Sequence, residues 1–284
     1  MRRVLEAWTP AGMINVDEGP TLNARETYLR DVYPVLAPPV SERYALVSLT
    51  PQAGHKPLGQ QRLLMAVALT GTGKSTALDL VSRRLGGRGF GIIPTRREVA
   101  DWIAIPLAQH WAGAELAPTP DRVKRFAYTR RFAERVEGGM AAAFSWLNLA
   151  DDYEGALLSE GIRGENELRY ALRRFPNWRI VELALHPLTR LRRLSARGEA
   201  FDRAAGPADL SFLPLELRDE AAALLRAGEI SEQALAITRA EAANYGLQPF
   251  ADGDAYANYQ RLDIDGCAPA QVADRIIEIL QRPD

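Results

Sequence analysis

Residues 63–85 read "LLMAVALTGTGKSTALDLVSRRL": a short apolar run, a turn carrying Gly71 and Gly73, and then apolar residues at helical spacing. Few arrangements satisfy that order. A buried strand has to leave its sheet through a tight glycine turn and continue as a helix whose first backbone N–H groups have no partner inside the helix. Those N–H groups and the positive helix end converge on one point beyond the strand, where an anion's oxygens can sit. The spelling follows G-x-x-x-x-G-K-[ST], with Ala68 in place of the first glycine and the two glycines nearest the phosphates kept. In that motif Gly71, Thr72, Gly73, Lys74, Ser75 and Thr76 cradle a nucleoside triphosphate, Lys74 reaches its β- and γ-phosphates, and Ser75 ligates Mg²⁺. The guests expected from this stretch are ATP and Mg²⁺.

From residue 63 onward strands and helices alternate, which points to a parallel sheet covered by helices on both faces. "RLLMAVAL", "FGII" (90–93), "GALLSEG" (155–161), "WRIVELAL" (178–185) and "YQRLDID" (259–265) read as strands. "KSTALDLVSRRL", closed by Gly86-Gly87, "REVADWIAIPLAQHW", "DRVKRFAYTRRFAERVE", its resumption "MAAAFSWLNL", "ENELRYALRRF" and "APAQVADRIIEIL" read as helices. Residues 1–62 are punctuated by Pro and Gly too often for long elements, with "RETYLRDVY" a short helix and "RYALVSL" a strand. Between 204 and 250 the alternation lapses into two helical stretches, the second framed by Ser231 as N-cap and Gly246 as stop. The expected organisation is an N-terminal extension (1–62), a core with an arginine-rich lid (63–203), a helical insertion (204–250), and the last strand and helix of the core (251–284).

Charge and cysteine narrow the function classes. With 35 Lys or Arg against 36 Asp or Glu, the net charge of −1 argues against bulk electrostatic binding of nucleic acid. A single cysteine, Cys267, allows no internal disulfide and, with three scattered histidines, no zinc cage. No apolar run reaches the length of a membrane span, and the basic start is interrupted before a signal-peptide core can form, so a cytoplasmic protein without a membrane partner is expected.

The stretch "LLSEGIRGENELRYALRRFPNWRIVELALHPLTRLRRLSARGEAFD" (157–202) resembles the D-G-I-R … E segment, strand and arginine-rich R-x-x-R-L-x-x-R run of dephospho-CoA-kinase-like and predicted nucleotide kinases, members of the P-loop nucleoside-monophosphate-kinase group. "LDIDGCAPAQVADRIIEIL" (262–280) is similar to that group's closing strand and helix. The likeness spans residues 63–203 and 258–284. It implies a P-loop NTPase fold of three α/β/α layers, ATP and Mg²⁺ as cofactors, and a small phosphoryl acceptor as partner. It also implies a lid whose Arg190, Arg193 and Arg197, at i, i+3 and i+7, close over the triphosphate. The alternative for these arginines is the solvated face of an amphipathic helix.

The residues themselves suggest further roles. Glu160 closes a central strand beside the glycine turn, where it can hold Mg²⁺ directly or through water, or bond a neighbouring loop; the family's usual Asp is one methylene shorter. Arg163 leaves the same strand end and can grip a phosphate with two parallel hydrogen bonds, or pair with Glu165 or Glu167. Arg96, Arg97 and Glu98, in "PTRREVAD", stand at another strand end and are loosely similar to the T-R-E-P turn of thymidylate kinases, which faces the acceptor; the alternative is an ordinary helix N-terminus. The arginines of 121–137, Arg122, Arg125, Arg131 and Arg135, read as a solvated charged face, the alternative being further phosphate contacts. The chain is thus expected to be a Mg²⁺- and ATP-dependent kinase acting on a small phosphate- or hydroxyl-bearing acceptor. Two competitors are an NTP-dependent switch that binds a protein partner and a kinase for nucleic-acid 5′-hydroxyls. The insertion can cover the acceptor, make a homodimer interface, or pack on its own core.

Overall fold

The computed structural model describes residues 19–36, 44–86, 90–151, 153, 155–196, 209–246 and 250–282. Arg197, the third lid arginine, and Gly87 lie outside the described residues. Strands β1 (Val47–Ser48), β2 (His55–Pro57), β3 (Leu63–Val67), β4 (Asn148–Ala150), β5 (Leu157–Ser159), β6 (Trp178–Ala184) and β7 (Tyr259–Asp263) form two sheets. The larger is parallel, with order β5-β3-β6-β7 and Leu63 opposite both Leu157 and Trp178. After β3 the chain crosses to one side to build β5, then returns to the other to build β6. The direction of crossover therefore switches at β3, and the C-terminal end of a strand at such a switch is the place where open α/β sheets take ligands.

Every residue of β3 is buried, because both faces of this sheet are covered. Leu63, Met65 and Val67 enter one core, while Leu64 and Ala66, pointing the other way, enter a second. The second core is closed by Ala77, Leu78 and Val81 of α3 (Lys74–Arg84) and by Val272, Ala273 and Ile276 of α12 (Pro269–Gln281). The first lies under α4 (Arg96–Val99), α5 (Ile105–Trp111), α6 (Arg122–Arg135), α7 (Gly139–Ser145) and α8 (Glu165–Arg174). Helices on both faces of a four-stranded parallel sheet are compatible with the expected three layers. Each buried Leu or Val on these faces stabilises the fold by about 1.5–3 kcal/mol.

Several expected elements differ. "FGII" is no full strand: Phe90 makes an isolated parallel bridge to Leu158 at the outer side of β5. The helix expected through "MAAAFSWLNL" stops at Ser145, and Asn148–Ala150 is β4, the middle strand of a small antiparallel sheet with order β1-β4-β2. Its register places Leu149 opposite both Val47 and Lys56. The expected strand "RYALVSL" shortens to Val47–Ser48.

The described residues before 62 contribute Tyr28, Val32, Tyr44, Val47, Leu49 and Leu58 to the first core. Helix α1 (Gly19–Thr27) runs through a π-helical turn (Tyr28–Val32) into α2 (Tyr33–Leu36), a longer element than the expected "RETYLRDVY". Tyr28 and Val32 are buried there, and the Tyr28 hydroxyl donates to the Trp102 carbonyl at 2.8 Å. Trp102 itself belongs to a second π-helical turn, Ala100–Ala104, which joins α4 to α5. Burial holds the Tyr28 phenol well above its usual pKa. The helical insertion contributes α10 (Leu215–Arg226) and α11 (Glu232–Tyr245), the latter capped by Ser231, whose hydroxyl accepts from the Ala234 N–H. Among the described residues no helix is long and apolar enough to cross a membrane.

Candidate functional site

The glycine loop connects β3 to α3. Gly71 and Gly73 both have φ of +88°, a left-handed geometry that costs other residues strain and that glycine takes freely. Gly73 is the N-cap of α3, and the Thr72 hydroxyl donates back to the Leu69 carbonyl at 3.0 Å, which closes the turn. Gly73, Ser75 and Thr76 are exposed, whereas Thr72 and Lys74 are buried.

Glu160 comes to this loop because β5 and β3 are parallel neighbours with Ser159 beside Met65, so the next residue of β5 emerges at the same sheet edge. Its carboxylate accepts from the Ser75 hydroxyl at 3.0 and 2.8 Å and lies 3.4 Å from Lys74 Nζ. Burial lowers the Lys74 pKa against the attraction of Glu160, and Arg163 lowers it further. A hydroxyl and a carboxylate in contact at the start of a helix make a donor set suited to Mg²⁺, which takes one or two such protein oxygens and completes its shell with water and phosphate. The extra methylene of Glu160 brings its carboxylate directly onto Ser75.

Helix α9 (Pro187–Ser195), which carries Arg190 and Arg193, packs onto the other end of the loop. Arg190 Nε donates to the Thr70 carbonyl at 2.8 Å and Arg193 Nη1 to the Thr72 carbonyl at 3.1 Å. Leu194 rests on Gly71 so closely that a Cβ there would meet its carbons at 2.8 Å. Helix α9 and the helices of 204–250 share a hydrophobic cluster: Leu188, Leu191 and Leu194 pack with Leu224 of α10 and Leu235 of α11. The Ser231 N–H also donates to Ser195 Oγ at 2.8 Å, tying the start of α11 to the end of α9.

Glu241 of α11 is the residue that sequence reasoning missed. It accepts from the Thr70 N–H at 3.2 Å and the Thr70 hydroxyl at 2.5 Å, pairs with Arg190 through Nη2, and lies 3.5 Å from Arg163 Nη1. A signal was present: Ala234, Thr238, Glu241 and Tyr245 share one face of the helix at i, i+4, i+7 and i+11, and a carboxylate on a buried stripe requires partners.

The expected acceptor residues separate. Arg163 reaches the loop region, its backbone N–H donating to Glu167 at 2.8 Å while its guanidinium turns to Glu241. Arg96 serves the scaffold: both Nη atoms grip Glu167, at 2.5 and 2.8 Å, and Nη1 also donates to the Gly161 carbonyl at 2.9 Å. Glu98 completes a capping box with Thr95 and accepts from the Tyr44 hydroxyl at 2.6 Å. Arg97 is exposed. The arginines of α6 lie on the surface, Arg130 and Arg135 exposed, and with Phe126, Arg131, Glu134 and, from α11, Ala240 they line an open cleft of about 670 Å³.

Around the loop Lys74, Arg163, Arg190 and Arg193 gather against two carboxylates, Glu160 and Glu241. That surplus of positive charge, beside the open N–H groups of a helix start, favours an anion. The chain matches no known family model and no curated protein.

Proposed function

We propose that the chain is a Mg²⁺- and ATP-dependent phosphotransferase of the P-loop nucleotide-kinase type, acting on a small phosphate- or hydroxyl-bearing acceptor. The observation that carries the reading is the meeting of Lys74, Ser75 and Glu160 at one end of the glycine loop while Arg190 and Arg193 hold the other.

Phosphoryl transfer requires positioning and neutralisation of charge more than covalent chemistry. The loop's N–H groups would hold the triphosphate, and Lys74 would bond its β- and γ-oxygens. Mg²⁺ held by Ser75 and Glu160 would neutralise charge between those phosphates. Arg193 would turn from the Thr72 carbonyl to the transferring group, and Leu194 would keep bulk water from Gly71. The acceptor would lie toward Arg163 and the α6–α11 cleft, whose three arginines and half-exposed Phe126 suit an anionic molecule with an apolar part. A phosphate acceptor needs no general base, whereas a hydroxyl acceptor would use a carboxylate such as Glu160.

The test is incubation with Mg²⁺, γ-labelled ATP and a panel of nucleoside monophosphates, nucleosides, dephospho-CoA and 5′-hydroxyl oligonucleotides. Label in one acceptor supports the kinase and identifies its class. Label released only as inorganic phosphate, at a rate indifferent to every acceptor, favours the switch reading, for which the separate core of α9, α10 and α11 is the supporting observation. Arg193→Ala is expected to slow single-turnover transfer by about 10²–10³-fold with little change in ATP affinity. Equal single-turnover rates in the two proteins would remove Arg193 from the transfer step.

A further inference from the structure

We propose that the cradle now filled by the Glu241 carboxylate is a phosphoryl-group site, and that Glu241 is its built-in occupant, displaced when a phosphorylated ligand arrives. The proposal rests on the kinase reading and adds to it a second anion position beside the loop. Four donors converge there: the Thr70 N–H, the Thr70 hydroxyl, Arg190 Nη2 and Arg163 Nη1. A backbone N–H at a glycine loop, a hydroxyl and two guanidinium groups are the usual donors to a phosphate.

The carboxylate fills this cradle incompletely. Arg163 Nε is buried with no hydrogen-bond partner, and a buried donor left unpaired in an otherwise satisfied network calls for an explanation. A carboxylate offers two oxygens, whereas a terminal phosphoryl group offers three acceptors spread over a wider arc. One carboxylate also brings a single negative charge to Arg163 and Arg190, while a phosphoryl group near neutral pH brings close to two. Both mismatches, in oxygen number and in charge, are removed by the same ligand. One turn before Glu241, on the same helix face, the buried Thr238 hydroxyl is likewise without a partner.

Glu241 can leave without dismantling the sheet. Its side chain can turn out of the cradle while Arg190 stays on α9 and the two cores that hold β3 are untouched. The ligand chemistry is that of a dianionic phosphoryl group, and two sources fit: the γ-phosphate of the donor and the phosphate of an acceptor.

Calorimetric titration of wild type and Glu241→Gln with Mg²⁺-ATP, Mg²⁺-ADP, and inorganic phosphate in the presence of saturating Mg²⁺-ADP separates them. The variant is expected to bind at least about tenfold more tightly wherever the cradle is used, because the internal competitor has lost its charge. Tightening for ATP but not ADP assigns the cradle to the γ-phosphate; tightening confined to inorganic phosphate assigns it to the acceptor. Unchanged or weaker binding of all three overturns the proposal while leaving the loop reading intact. No binding of ATP or ADP by wild type overturns both. A second measurement needs no variant: amide exchange in 232–245 of wild type is expected to quicken when the phosphorylated ligand binds, and unchanged or slower exchange overturns the displacement.

Discussion

Lys74→Ala is expected to lower turnover by about 10²–10³-fold or more and to abolish most of the stabilisation that a triphosphate gives the wild type. The side chain is folded into the loop with 7% of its surface exposed and faces Glu160, whereas the other deeply buried cation of the loop, Arg190, is already held by the Thr70 carbonyl and Glu241. Without ligand the change is mild, because Glu160 keeps its two contacts with Ser75 and a costly buried ammonium is removed. Wild type at a ligand concentration 100 times its dissociation constant gains about 2.7 kcal/mol, an upward shift of several degrees in a melting scan. The variant should show a shift near zero at the same concentration. A full shift or normal turnover by the variant would show that the loop does not hold the triphosphate.

The second large effect concerns the scaffold. Glu167→Ala is expected to cost about 3–5 kcal/mol, a large share of a typical total of about 5–15 kcal/mol. Glu167 takes both Nη atoms of Arg96 and the backbone N–H groups of Arg163 and Met140, so one carboxylate joins α4, α7, α8 and the segment after β5. The pair is well buried, with 18% and 11% of the two side chains exposed, and truncation leaves the Arg96 guanidinium without its counter-charge. Glu167→Gln keeps an acceptor and should cost less than the alanine change. Urea unfolding of the three proteins gives the comparison, and a loss below about 1 kcal/mol for Glu167→Ala would contradict the buried-pair argument. Since Arg96 also holds the Gly161 carbonyl, a weakened brace should loosen Glu160 next to it.

What could be read from the sequence was what is written locally. The order of strand, glycine turn and helix in 63–85 is a local pattern, and Glu160 followed from it because parallel neighbours end at the same edge. The β4 strand was hidden because "MAAAFSW" is helical text and the partners of Asn148–Ala150 lie at Val47–Ser48 and His55–Pro57, too far along the chain for periodicity to reveal. Arg163 follows a strand end as expected and Arg96 opens α4, yet their carboxylates, Glu241 and Glu167, are chosen by packing. The sequence marks residues 204–250 as helical and 190–197 as basic; only the folded chain brings the leucines of α9, α10 and α11 into one cluster.

These helices cover the glycine loop unevenly, and the unevenness has a consequence in time. Gly73, Ser75 and Thr76 are open to solvent, while Thr72 is buried and Gly71 lies under Leu194. A ligand would settle on the open end at a rate that rises with its concentration, and on the proposed reading it would reach the covered end only when α9, α10 and α11 lift together. Association should then proceed in two phases, the slower one levelling off at the helices' own opening rate. Residues such as Leu191 and Leu224, which touch no phosphate, would in this way set the pace of an event whose chemistry lies elsewhere.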